Sequence, residues 1–161
     1  STKSADDLAE RVITRMLSDG RRRDDVAVLA VQRDASTGLS VSGPAEPSRM
    51  SVFRATLQRW LESVDATPDE PSDLVLAAGE LLANVCVHAH PFGAGLMRLN
   101  AGIDGERVAR ISVTDTGAWR ERRERGGGRG LSIVRAVVDD LVIDSDETGT
   151  TATVSRRLGA A

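Results

Sequence analysis

Lysine is almost missing from this 161-residue chain: all but one of its 21 basic residues are arginine, and the exception, Lys3, stands in a polar N-terminal tail. Mechanisms that need a fixed lysine are thereby excluded. Neither a Gly-Lys-Ser/Thr phosphate loop, nor the strand lysine of eukaryotic-type kinases, nor a Schiff-base lysine can be built. Cys86 is the sole cysteine. No internal disulfide and no multi-cysteine zinc site can form, and a reducing, cytoplasmic setting is expected. Tyrosine is absent, and two phenylalanines with two tryptophans leave little aromatic surface for stacking single-stranded bases. A formal net charge of −3 gives no uniformly basic face, so a nucleic-acid partner is not expected. The longest apolar run, around 74–87, is broken by Glu80 and Asn84 and falls short of the roughly 20 apolar residues of a membrane span. No membrane partner is expected, and the polar N-terminus does not resemble a signal peptide.

What is present suffices for one ordinary core, since 40% of the residues are apolar. Leu8, Val12, Ile13, Met16 and Leu17 recur at helical spacing behind Ser4, and a short buried-type strand follows at 24–31. These two elements cannot enclose a core by themselves. Residues 34–47 carry Ser36, Gly38, Ser40, Ser42, Gly43, Pro44 and Pro47 without helical periodicity, which is linker composition and marks a domain boundary. Beyond it Phe53, Leu57, Trp60, Leu61 and Val64 mark an amphipathic helix. A second helix, roughly 72–89, is apolar on most sides. Strands are expected at about 96–103 and 108–114, turning through Asp104-Gly105. An arginine-rich stretch then leads to a helix at 131–140, and a last hairpin pairs 141–145 with 150–158. The sum is an α+β chain: a two-layer sandwich of helices on a mostly antiparallel, mixed sheet.

Three constellations stand out. Glu80, Asn84 and His88, at i, i+4 and i+8, line one stripe of an otherwise apolar helix. Buried polar groups need partners, so that stripe faces a ligand, a metal, water or matching protein groups. At the end of a strand, Asp115-Thr116-Gly117 sets an acceptor beside a glycine that lets another group approach closely, an arrangement that serves either an exocyclic amine or a simple turn. Gly126-Gly127-Gly128-Arg129-Gly130 runs straight into a helix, whose free N–H groups form an anion site, though glycine runs also make plain loops. Around it Arg120, Arg122, Arg123, Arg125 and Arg129 form a solvated charge run or a phosphate clamp.

In their order along the chain, Glu80-X-X-X-Asn84, Asp115-X-Gly117, Gly128-Arg129-Gly130-Leu131 and Gly149-Thr150-Thr151 resemble the four nucleotide-binding boxes of the GHKL, or Bergerat-fold, ATPases. The run Glu80 to Ala89 and the compact lid look most like the anti-sigma-factor serine kinases of the HATPase_c_2 type. The resemblance covers about 48–158, so residues 48–161 are expected to form the ATP-binding domain. It implies ATP and Mg²⁺ as cofactors, with Asp115 accepting the adenine amine, Gly117 leaving room for the base, and Thr150 and Thr151 beside it. Asn84 would bind Mg²⁺; Gly128, Arg129 and Gly130 would face the phosphates; Glu80 would be the general base. It also implies a STAS-domain anti-sigma antagonist as substrate, a sigma factor as partner, and a homodimer as a possible state. Where this box usually has a second glycine stands Trp119, which leaves a non-catalytic binding module as the alternative. A histidine kinase would need a phosphorylatable histidine upstream, and none precedes His88. Residues 1–33 resemble the last helix and strand of a SpoIIE-type PPM phosphatase, with Asp24 at the position of a metal ligand. The resemblance implies that the parent chain is a fusion of a protein-serine phosphatase and a kinase.

Overall fold

Alternation of inward apolar and outward polar residues builds the sheet, and helical spacing of apolar residues builds the layer that covers it. The computed structural model describes residues 30–34, 38–64, 67, 69–89, 95–116, 129–146 and 149–159. In chain order the elements are strands β1 (Ala30–Asp34) and β2 (Gly38–Pro44), helices α1 (Met50–Leu61) and α2 (Glu70–Asn84), strands β3 (Leu96–Ile103) and β4 (Val108–Asp115), helix α3 (Arg129–Val137), and strands β5 (Asp140–Asp146) and β6 (Gly149–Arg157). The strands lie in the order β1-β2-β3-β4-β6-β5. Every neighbouring pair is antiparallel. The chain therefore folds as the expected α+β sandwich. β4 and β5, joined through α3, do run in the same direction, but β6 lies between them.

One face of the sheet is apolar. Val41, Leu99, Val113 and Ala152 stand in register across it, as do Leu39, Ala101, Ile111 and Val154. Phe53, Leu57 and Leu61 of α1, Leu74 and Leu82 of α2, and Val134 of α3 complete the core, each fully buried. Truncating a side chain in such a core to alanine costs about 2–5 kcal/mol. The opposite face is polar: Ser40, Asn100, Ser112 and Thr153 line up across it, and Ser40 Oγ donates to Asn100 Oδ1 at 2.8 Å.

Two boundaries differ from the sequence expectation. The linker expected at 34–47 is corrected between Gly38 and Pro44, which form β2 and pair with β3. Leu39 and Val41 point into the core, and Gly38, Ser40 and Ser42 alternate with them on the opposite face of the strand. Of the strand expected at 24–31, the described β1 contains Ala30 and Val31, while 24–29 and the helix before them lie outside the described residues.

Helix α2 begins earlier than the apolar pattern suggests, at Glu70. This buried carboxylate accepts the Thr67 N–H through Oε2 at 2.8 Å, the reach-back half of a capping box, and the Gly159 N–H through Oε1 at 2.7 Å. One side chain thus ties the start of α2 to the chain beyond β6. Burial by itself raises the Glu70 pKa, but the hydrogen bonds from Gly159 and Thr67 and the charge of Arg156 outweigh it, holding the carboxyl below its ordinary 4.5. A depressed folded-state value means stability that is present above the unfolded value and lost as pH falls through the lowered one. Stability against urea should therefore fall on acidification below about pH 4.5. Glu70→Gln should be less stable at neutral pH and show a flatter acid limb over that window.

Candidate functional site

Helix α2 packs over β4 and β6 and alongside α3. Arg156 Nη1, projecting from β6, donates to Asp73 Oδ2 of α2 at 2.6 Å and to the Val137 carbonyl of α3 at 2.9 Å. At the other end of the two helices, the Glu80 carboxylate of α2 lies against Gly130 in the first turn of α3. A Cβ built at 130 would stand 2.6 Å from Glu80 Oε2. The two helices therefore run side by side in opposite senses, with Ala77 of α2 and Val134 of α3 both buried between the ties in sequence. This places the acid of the polar stripe at the positive end of α3, where the helix dipole and free N–H groups favour negative charge. Asn84, one turn further along α2, is half-buried on the same side, and Arg129 is exposed beside Gly130.

The second half of the site lies at one end of the sheet. Asp115 closes β4, Thr150 opens β6, and the two are register partners, both buried on the face that the helices cover. Their closeness depends on Gly149. Its φ is +153°, and a Cβ there would fall 1.9 Å from the Asp115 carbonyl oxygen, so only glycine lets β6 start against this strand end. Thr150 Oγ1 is buried without a hydrogen-bond partner among the described residues. A buried carboxylate next to an unpartnered hydroxyl supplies an acceptor and a donor on one face. That pair matches the edge of a base that carries an exocyclic amine beside a ring nitrogen.

The structure separates Thr151 from this pair, correcting the expectation that it stands beside the base. Neighbouring residues of a strand face opposite ways, and Thr151 lies on the outer face of the sheet, its hydroxyl 3.1 Å from that of Thr114. Gly117, Trp119, Gly128 and Asp24 lie outside the described residues. The lone cysteine, Cys86, is buried, and burial together with the charge of Glu46 pushes its thiol pKa up, which makes it a poor nucleophile. Gly149 stands in the Gly149-Thr150-Thr151 box of the sequence, and its part here is the close approach of β6 to the Asp115 carbonyl.

Comparison with known proteins agrees with this fold. Residues 43–156 match the histidine kinase-like ATPase domain family, of the HATPase_c_2 type. The anti-sigma F factor of Clostridium kluyveri is 22% identical over 121 residues, covering 67% of this chain and 84% of that protein. The solved RsbU and RsbW domains of a Mycobacterium tuberculosis protein superpose with a TM-score of 0.64 at 27% identity over 76% of this chain. This chain spans only 33% of that one. A blue-light activated histidine kinase domain from Erythrobacter litoralis shares the fold, with a TM-score of 0.51 at 15% identity, over 98% of this chain and 89% of its own.

Two substitutions check the sheet end. Gly149→Ala should cost about 2 kcal/mol or more in urea unfolding, since both the backbone conformation and the close approach are lost. Thr150→Val, which keeps the shape and removes the unpartnered hydroxyl, should instead stabilise the nucleotide-free protein by about 1 kcal/mol while weakening nucleotide binding.

Proposed function

Because the chain belongs to the histidine kinase-like ATPase domain family, we propose that it is an ATP-dependent protein-serine kinase domain of the anti-sigma type. Its substrate in this reading is a STAS-domain anti-sigma antagonist, and a sigma factor is the protein it sequesters. Placement of the Glu80 carboxylate at the first turn of α3 carries the reading, because it sets a proton acceptor at the helix end suited to phosphate groups. The Clostridium kluyveri relative, named an anti-sigma F factor, supports the choice within the family.

MgATP would supply a transferable phosphoryl group, with the cation neutralising charge on the phosphate oxygens. Asp115 would accept a hydrogen bond from the adenine amine, and the Thr150 hydroxyl would satisfy its own buried oxygen by bonding the same edge. Asn84 offers an amide oxygen to Mg²⁺, which prefers oxygen ligands and keeps several waters. Arg129 and the N–H groups at 129 and 130 would face the phosphates, and by resemblance Gly117 and Gly128 would leave room for base and phosphate. Glu80 would take the proton from the attacking serine hydroxyl as its oxygen bonds the γ-phosphorus and the bond from that phosphorus to the departing ADP oxygen breaks.

The domain would act in the cytoplasm, with homodimerisation compatible with this reading. Residues 1–33 are read as the end of a preceding SpoIIE-type phosphatase domain, Asp24 being its metal-ligand position, with the chain passing at 30–33 into β1 at the edge of the sheet. The two-domain Mycobacterium tuberculosis relative supports such an arrangement. Trp119, in place of a glycine of the resembled box, favours a second reading, in which the domain binds partners and steers the attached phosphatase without transferring phosphate.

Calorimetry and a phosphotransfer assay against STAS-domain proteins separate the two. Asp115→Ala should weaken MgATP binding at least about tenfold, as expected for a hydrogen bond to a charged acceptor. Glu80→Ala should keep binding and lower transfer by about 10²–10⁴-fold. Transfer undiminished in Glu80→Ala would remove Glu80 from the role of proton acceptor, and transfer absent from the wild type with partner binding intact would favour the binding module.

A further inference from the structure

Gly130 sits in the first turn of a helix, where glycine is a poor residue unless its missing side chain serves a purpose. Backbone conformation is not that purpose, because among the described glycines Gly149 alone has positive φ. What a side chain at 130 would meet is specific. The three nearest heavy atoms to a Cβ built there all belong to Glu80: Oε2 at 2.6 Å, Cδ at 3.6 Å and Cβ at 4.0 Å. No other group crowds this position so closely, and the clashing atom is the far end of a flexible side chain. A methyl at 130 is therefore relieved by moving the Glu80 carboxylate, with the fold left intact.

The geometry points to Gly130 as the positioning residue for Glu80, an inference that rests on the kinase reading above. The empty Cβ position is the seat of the carboxylate. The positive end of α3 draws the anion in, and the missing side chain gives it room. In this role Gly130 acts through the proton acceptor and sets the rate of the chemical step; a glycine needed only for phosphate contact would set nucleotide affinity instead. Its conformational cost is what a helix accepts to hold an acid at that point.

A double-mutant cycle of Gly130→Ala and Glu80→Ala tests this, using MgATP as probe, with phosphate release to water and calorimetric Kd as readouts. Gly130→Ala alone should keep Kd within about threefold and lower kcat at least about tenfold, the scale of a misplaced catalytic group. In the Glu80→Ala background it should change neither. Loss of MgATP affinity with kcat retained, or an equal fall in kcat in both backgrounds, would overturn the assignment. Urea unfolding of the nucleotide-free variants reads the same contact without turnover. Gly130→Ala should raise the folding constant about threefold, as helix propensity directs, only when Glu80 has been replaced. An equal gain in both backgrounds would show that nothing is seated there. If the wild type transfers phosphate neither to water nor to a STAS-domain protein, the kinase reading fails, and the unfolding cycle alone decides whether Gly130 seats Glu80.

Discussion

Helix α2 must bury one face against the sheet while carrying a carboxylate and an amide on another, and the placement of the other helices follows from that conflict. Leu74, Ala77, Ala78, Leu81 and Leu82 are buried and fix the rotation of the helix about its axis. Once they point inward, Glu80 and Asn84 fall on the flank beside α3. That flank closes only if α3 presents a small residue at its start, an apolar residue at its middle and a hydrogen-bond acceptor at its end. Gly130, Val134 and the Val137 carbonyl are those three. Arg156 fastens the far end, so the position of Glu80 is set at both ends of the helix pair.

The sheet solves a complementary problem. Asp115 and Thr150 are polar residues on the face that the core occupies, at the row beyond Val113 and Ala152. That row lies at the strand end, where the last residue of β4 meets the beginning of β6. Gly149 is what lets the two strands meet so closely at that point. The outer face needs no such device, since Ser40 donates to Asn100 and the Thr114 and Thr151 hydroxyls bond each other across the strands.

Much of this was legible because period carries it. The apolar spacing of α1, the stripe on α2 and the Asp104-Gly105 hairpin all appear in the structure near the expected boundaries. β2 was hidden because Gly38, Ser40, Ser42 and Gly43 dominate its composition, and a two-residue alternation is hard to see when the outward residues are also turn formers. The start of α2 was misplaced for a different reason. Its signal was the pairing of Thr67 with Glu70, which lies ahead of the apolar run. Choosing Thr150 over Thr151 required the register, because a shift of one residue turns a side chain to the other face. The meeting of Glu80 with Gly130 left no local trace, since the two are brought together only by the packing of α2 on α3.

The account makes the two halves one site: an acid and anion-favouring helix end on one side, a buried carboxylate and hydroxyl at a sheet end on the other. An amide NMR titration of the protein with MgADP tests this most directly. Signals of Gly130 and Leu131 at the start of α3 and of Gly149 and Thr150 at the start of β6 should move together, described by one dissociation constant, while Ser40 and Ser112 on the outer face stay still. Movement at one cluster without the other, or two unrelated constants, would contradict the claim that these elements bind a single nucleotide.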